Sequence, residues 1–322
     1  METAVEFYSE GTRLRGFLTT PDDNEAQLIP GVVMFHGFGC TAQMDFPEHA
    51  ARLAKRGYAV LRFDYRHWGG SDGEPRNVLL PWREVEDVRN AMTYMQQQPG
   101  VDPDRIGIWG ASFGGGISIA TGALDSRAKA VVATVPVTNG RRWIQSVNPG
   151  FTWLRILSEL ESDRVARLQT GESEFVAVSE FRTPDPNPSS GAGGWIERHA
   201  GILGSRVTDW RSVEAILEFA PDEMAGRIAP RALLIIAAPN DSVTPWEQAQ
   251  AAYAAARDPK RLVALTPTAD HYDGYLDPLL SVVIDEVAAW FDEYLGDSLW
   301  LDPERQGAHA STLVREASAS PQ

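Results

Sequence analysis

The chain has 322 residues, of which 43% are hydrophobic and 23% charged, and these ordinary globular values exclude extensive disorder away from the ends. A formal net charge of −15 opposes nucleic-acid phosphates and anionic lipid headgroups, which are bound by lysine and arginine patches, so neither nucleic acid nor membrane is an expected partner. A single cysteine, Cys40, excludes an internal disulfide and a multi-cysteine metal site.

Alternating polar and apolar residues from Val5 to Leu18, broken by Glu10-Gly11, predict a β-hairpin at a sheet edge. Short apolar runs at 31–36, 58–63 and 105–109 suit buried parallel strands. Between them lie helical patterns at 47–56 and 81–97, the second with Val85, Val88, Met92 and Met95 at three- and four-residue spacing. Residues 130–135, 232–238 and 261–265 supply three more strands, and 247–257 and 280–295 the helices around them. Strand and helix alternate, which predicts an α/β fold with a mostly parallel central sheet flanked by helices.

The alternation breaks between residues 139 and 226. That interval carries Trp143, Trp153, Trp195 and Trp210, together with Phe151, Phe175, Phe181 and Phe219. It also has a loop with Pro184, Pro186, Pro188 and Gly191-Ala192-Gly193-Gly194, and helical stretches near 151–169 and 210–219. It reads as an inserted, mainly helical lid over 140–225, set into a catalytic core of 1–139 and 226–297. The aromatics suit an apolar substrate pocket, with Trp143 and Trp153 as candidate lining, or equally a small core of the lid's own. From Ser298 the sequence is polar and poor in bulky residues, which predicts a mobile tail over 298–322.

Residues 106–116 read Ile-Gly-Ile-Trp-Gly-Ala-Ser-Phe-Gly-Gly-Gly. A G-x-S-x-G turn between a β-branched run and a small-residue helical stretch holds a serine hydroxyl above a sheet, with Gly110 and Gly114 leaving room for the neighbouring strand and helix. Ser112 is the candidate nucleophile. Gly69-Gly70-Ser71-Asp72-Gly73 matches the same letters, but Arg66-His67-Trp68 separates it from the preceding apolar run and Glu74-Pro75 stands where a helix would begin. Ser71 therefore reads as a loop residue.

A serine hydroxyl needs an adjacent base, and the base an acceptor that fixes its tautomer. In an elbow enzyme both follow the serine, on loops leaving the carboxyl ends of later strands. Asp241, just after the strand at 232–238, and His271, after the strand at 261–265, meet that requirement. His36, His49 and His67 precede the serine, His199 falls in the lid and His309 in the tail. Capping the following helix is the alternative role for Asp241.

The set His36-Gly37, Asp64-Tyr65-Arg66 with Gly69 to Gly73, Gly110-Ala111-Ser112-Phe113-Gly114, Asp241 and His271 resembles the α/β-hydrolase superfamily. Phe63-Asp-Tyr-Arg-His-Trp-Gly-Gly-Ser-Asp-Gly-Glu-Pro-Arg76 and Asp270-His-Tyr-Asp-Gly-Tyr275 resemble its branch of dienelactone hydrolases and X-prolyl peptidase-like esterases, often encoded with polyketide pathways. The resemblance implies an α/β-hydrolase fold and an oxyanion hole built from the backbone N–H groups of Phe113 and Phe38, with Gly39 as the alternative to Phe38. Dienelactone hydrolases proper use cysteine where this chain has Ser112, a departure from that activity. Cys40, beside the oxyanion loop, reads as a small packed residue, while His67 and Trp68 either reach the pocket or pack.

The expected chemistry is attack of Ser112 on an acyl carbonyl, with His271 as base and Asp241 orienting it, on carboxylic esters or lactones first and thioesters next. No metal or organic cofactor is needed, and the expected partner is a small apolar acyl substrate. Acyl transfer to an acceptor other than water, and a non-catalytic ligand-binding role, are the alternatives. A homodimer is compatible with the sequence, and a cytoplasmic location is expected because no basic-then-apolar leader and no membrane span is visible.

Overall fold

The computed structural model describes residues 1–22, 28–44, 46–181, 199 and 207–296. In chain order the elements are β1 (Glu2–Ser9), β2 (Thr12–Thr19), β3 (Ile29–Phe35), α1 (Phe46–Ala54), β4 (Ala59–Phe63), α2 (Pro81–Gln96), β5 (Val101–Ala111), α3 (Phe113–Leu124) and β6 (Ala128–Thr134). There follow α4 (Gly140–Val147), α5 (Phe151–Thr170), β7 (Phe175–Ala177), β8 (Val207–Asp209), α6 (Trp210–Leu217), β9 (Ala232–Ala237), α7 (Trp246–Ala255), β10 (Lys260–Ala264) and α8 (Leu279–Leu295).

Eight strands form one sheet in the order β1-β2-β4-β3-β5-β6-β9-β10. The first two pairings, β1 with β2 and β2 with β4, are antiparallel, and all the others are parallel. The edge hairpin turns on Glu10 (φ 46°) and Gly11 (φ 83°), the two positive φ angles that a type I′ turn requires. Side chains alternate across the central strands. Val33, Phe35, Leu61, Phe63, Ile106, Ile108, Val131 and Leu233 face α2, α3 and α7, whereas Val32, Met34, Val60, Trp109, Val132 and Leu234 face α1 and α8. Burial on both faces is why these strands read as unbroken apolar runs. Each fully buried side chain of this size contributes about 1.5–3 kcal/mol relative to exposure.

Between β6 and β9 the short helices start on side-chain caps. Asn139 Oδ1 accepts from Arg142 N (3.0 Å) at α4, and Asp209 Oδ1 from Ser212 N (2.8 Å) at α6. Trp143, Ile156, Leu160, Phe181, Trp210, Val213 and Phe219 from this interval join the core cluster on the α2/α3 face. Trp143, Phe181, Trp210 and Phe219 serve the common core, whereas Phe151 and Phe175 are exposed. Helix α4 and the antiparallel pair β7/β8 were not expected: eight and three residues, respectively, are too short to show periodicity. The proline- and glycine-rich loop, Trp195, His309 and the tail lie outside the described residues. Among those that are described, no helix is long and apolar enough to cross a membrane.

The chain order along the sheet reverses between β3 and β5, since β4 lies on one side of β3 while β5, β6, β9 and β10 run outward on the other. In such sheets ligands bind outside the carboxyl ends of the strands at the reversal. The loops leaving β3 and β5 meet there.

Candidate active site

Ser112 joins β5 to α3 with φ 56° and ψ −121°. A residue with a Cβ held there is strained by about 1–3 kcal/mol. The surroundings impose the conformation: Ser112 N donates to Thr134 O (2.8 Å), and Ser112 O accepts from Gly115 N (2.9 Å) and Val137 N (3.0 Å). The flanking glycines are required by contact. A Cβ on Gly110 would stand 2.0 Å from Gly114 O, and one on Gly114 would stand 2.5 Å from His36 O. The strand, the turn and the neighbouring β3 are thus locked around the hydroxyl.

The loop after β9 carries Asp241 and the loop after β10 carries His271, both with side chains 2% exposed. His271 Nδ1 lies 2.8 Å from Asp241 Oδ2, and its Nε2 lies 3.1 Å from Ser112 Oγ. An ionised carboxylate only accepts, so the ring proton sits on Nδ1 and Nε2 is left to accept from the serine. Asp241 is itself oriented: Oδ1 accepts from Val243 N (2.8 Å) and Thr244 N (2.6 Å), and Oδ2 accepts from Thr244 Oγ1 (2.9 Å). The Thr244 hydroxyl also lies 3.2 Å from His271 Nδ1. The helix that Asp241 precedes starts at Trp246, and the carboxylate is spent on its own loop and on His271.

Phe113 opens α3 directly after Ser112, so its N–H has no partner within the helix. Phe38 stands on the facing loop after β3. That loop is held from β4: Asp64 Oδ1 accepts from Ala42 N (2.6 Å) and Arg62 Nη1 donates to Ala42 O (2.6 Å). Asp64 Oδ2 accepts from Gly70 N (2.8 Å), and a Cβ on Gly69 would fall 2.1 Å from that oxygen. The second G-x-S-x-G segment is therefore part of a clamp on the loop after β3. Its Ser71, 2% exposed, donates to Asp64 O and accepts from Arg15 N (2.9 Å), so its hydroxyl is engaged by backbone groups. His36, the residue before the oxyanion turn, is buried against Tyr65, and burial lowers its pKa and keeps it neutral.

A cavity of about 20 Å³, room for about one water, opens over Ser112. Gly37, Phe38, Cys40, Met44, Phe46, Trp143, Val243, His271, Tyr272 and Tyr275 line it with Ser112. Of the four candidate substrate residues, Trp143 is in that lining, its indole N–H donating to Val243 O (2.7 Å). Trp68 packs edge-on against Phe38 at 5.8 Å. Trp153 sits under Arg141 at 5.4 Å, and His67 anchors its own loop by donating from N to Asp72 O (3.0 Å); neither lines the cavity. Sequence reasoning missed Met44, Phe46 and Val243, which carry no local signal. Tyr272 and Tyr275 belong to the 270–275 motif that carries His271.

Residues 10–273 match the X-Pro dipeptidyl-peptidase (S15 family). The chain belongs to this family. Within the S15 family's α/β-hydrolase fold, it superposes on the α/β hydrolase GrgF from Penicillium sp. sh18 with a TM-score of 0.76 at 24% identity, over 92% of this chain and 99% of that one. It is 32% identical over 246 residues to the quorum-quenching protein AidA of Acinetobacter baumannii (strain MDR-ZJ06), covering 75% of this chain and 79% of AidA. It is also 37% identical over 134 residues to the thiohydrolase aneE of Aspergillus aculeatus, 41% of each chain. This S15 family member is a hydrolytic enzyme.

Proposed function

We propose that the chain cleaves carboxylic esters, lactones and thioesters with neutral, apolar acyl groups, through an acyl-enzyme on Ser112. The observation that carries this reading is the unbroken contact from Asp241 to His271 (2.8 Å) and from His271 to Ser112 (3.1 Å). Ser112 Oγ attacks the carbonyl carbon while His271 Nε2 takes its proton, and Asp241 stabilises the imidazolium that forms. The N–H groups of Phe113 and Phe38 receive the oxyanion, each contributing about 10²–10³ in kcat. Collapse expels the alcohol or thiol with the proton from His271. Water, deprotonated by His271, then attacks the acyl carbon, and the acid leaves with Ser112 restored.

The lining favours an acyl group over the peptide for which the family is named. A dipeptidyl peptidase holds a free N-terminal ammonium, and a buried ammonium needs a paired charge. Among the described residues, no Asp or Glu lines the cavity over Ser112, where aromatic and apolar side chains predominate. The thiohydrolase relative supports including thioesters. A small-molecule substrate in the cytoplasm, with no nucleic-acid or membrane partner, is in keeping with the net charge of −15 and the single cysteine.

A panel of nitrophenyl esters, acyl thioesters and Xaa-Pro nitroanilides tests this reading. Turnover of the esters and thioesters with none of the Xaa-Pro amides is expected, and the reverse pattern defeats it. An added alcohol that captures more acyl product than its concentration relative to water accounts for would instead make the chain an acyltransferase.

A further inference from the structure

We propose that Asp270 is a positioning residue that fixes Asp241 and His271 in register, an inference that rests on the reading of Ser112, His271 and Asp241 given above. Asp241 and His271 sit on loops that leave different strands, β9 and β10, so their 2.8 Å contact depends on how the two loops dock. The residues flanking Asp241 make that docking. Asn240 N donates to Ala269 O (3.2 Å). Ser242 N donates to Asp270 Oδ1 (2.7 Å), and Ser242 Oγ reaches both carboxylate oxygens at 2.8 and 2.9 Å. The same Oδ1 accepts from the backbone N–H of His271 (2.7 Å). One buried oxygen therefore gathers the residue after the acid and the residue that is the base.

Asp241 does not lock the loops by itself. Its Oδ1 is occupied by Val243 N and Thr244 N of its own loop, and its Oδ2 contact with His271 is the one catalysis must keep aligned. Asp270 is held in turn, because its N–H donates to Asp273 Oδ2 (2.8 Å). The clamp requires an acceptor at one point in space. Asparagine satisfies that requirement: its Oδ1 can take both backbone N–H groups while its amide donates to Ser242 Oγ. Glutamate keeps the charge but moves the acceptor by about the 1 Å that costs on the order of 10²-fold when reacting groups are misplaced.

Steady-state hydrolysis of a nitrophenyl ester by Asp270→Asn, Asp270→Glu and Asp270→Ala in the full chain, beside wild type, tests the proposal. The Asn variant is expected to keep kcat within about threefold, and the Glu and Ala variants to lose about 10- to 100-fold in kcat with KM within about twofold. The Asn and Glu variants decide the matter even where the Ala variant does not fold. A Glu variant at wild-type kcat beside a slow Asn variant would overturn the proposal, since charge rather than placement would then be at work. Three variants at wild-type kcat would overturn it as well. Wild type that neither turns over the ester nor reacts with a fluorophosphonate overturns the Ser112 reading itself, an outcome separate from any pattern among the variants.

Discussion

Gly37 and Ser112 approach so closely that a Cβ on Gly37 would stand 2.8 Å from Ser112 Cβ and 3.3 Å from its Oγ. The oxyanion loop and the nucleophile elbow share that space, so Gly37→Ala must displace one of them by a few tenths of an ångström. Loss of kcat by about 10- to 100-fold is expected, because small misplacements of reacting groups cost that much. Steady-state kinetics with circular dichroism as a folding control checks it. Wild-type kcat in a folded variant would show that the loop and the elbow move independently.

The two G-x-S-x-G serines are expected to separate cleanly. Ser112→Ala should lose about 10⁶-fold in kcat, whereas Ser71→Ala should remain active and lose stability, because Ser71 ties Asp64 O to Arg15 N. Thermal melts add a second contrast. Ser112 is held at φ 56°, so Ser112→Gly should melt above Ser112→Ala, the glycine relieving strain that alanine keeps.

Asp241→Asn should fold, yet lose on the order of 10⁴-fold in kcat, because an amide facing Nδ1 favours the wrong imidazole tautomer. Thr244→Val, which removes the hydroxyl donor to Asp241 Oδ2, should lose far less, about tenfold, since two backbone N–H groups still hold Oδ1. Equal losses from the two variants would contradict the ranking of these contacts.

Away from the site, Glu84 is 3% exposed on α2. Burial, with repulsion from Asp87 adding to it, pushes its carboxyl well above the ordinary range. The folded state therefore binds a proton that the unfolded chain has released, and stability falls as pH rises above the ordinary carboxylate pKa of about 4.3. Glu84→Gln should raise the melting temperature at pH 7 to 8, with the gain shrinking toward pH 4. Melting curves across that range check the sign, and a gain that grows at low pH would contradict it.

The sheet was legible because its strands are buried on both faces and its helices carry three- and four-residue periodicity. The β-hairpin turned where Glu10 and Gly11 were read as a break. Ser112, Asp241 and His271 were legible for a different reason: chain order and strand-end position leave few alternatives. The walls of the site were legible only in part, Trp143 among them. Met44 and Phe46 line the cavity over Ser112 from the loop after β3 and the start of α1, and no local pattern encodes that approach. The second serine motif was read correctly as a loop. Its structural task, as part of the clamp on the loop after β3, depends on contacts between β2, β4 and a loop that only the folded chain brings together.

The central claim, that Ser112 is activated by His271 to form the acyl-enzyme, is met most directly by mapping a fluorophosphonate adduct with peptide mass spectrometry. One adduct per chain on the peptide carrying Ser112, formed more slowly when a saturating ester substrate is present with the label and absent from His271→Ala, is the predicted result. An adduct on Ser71 or another residue, or undiminished labelling of His271→Ala, would contradict the account.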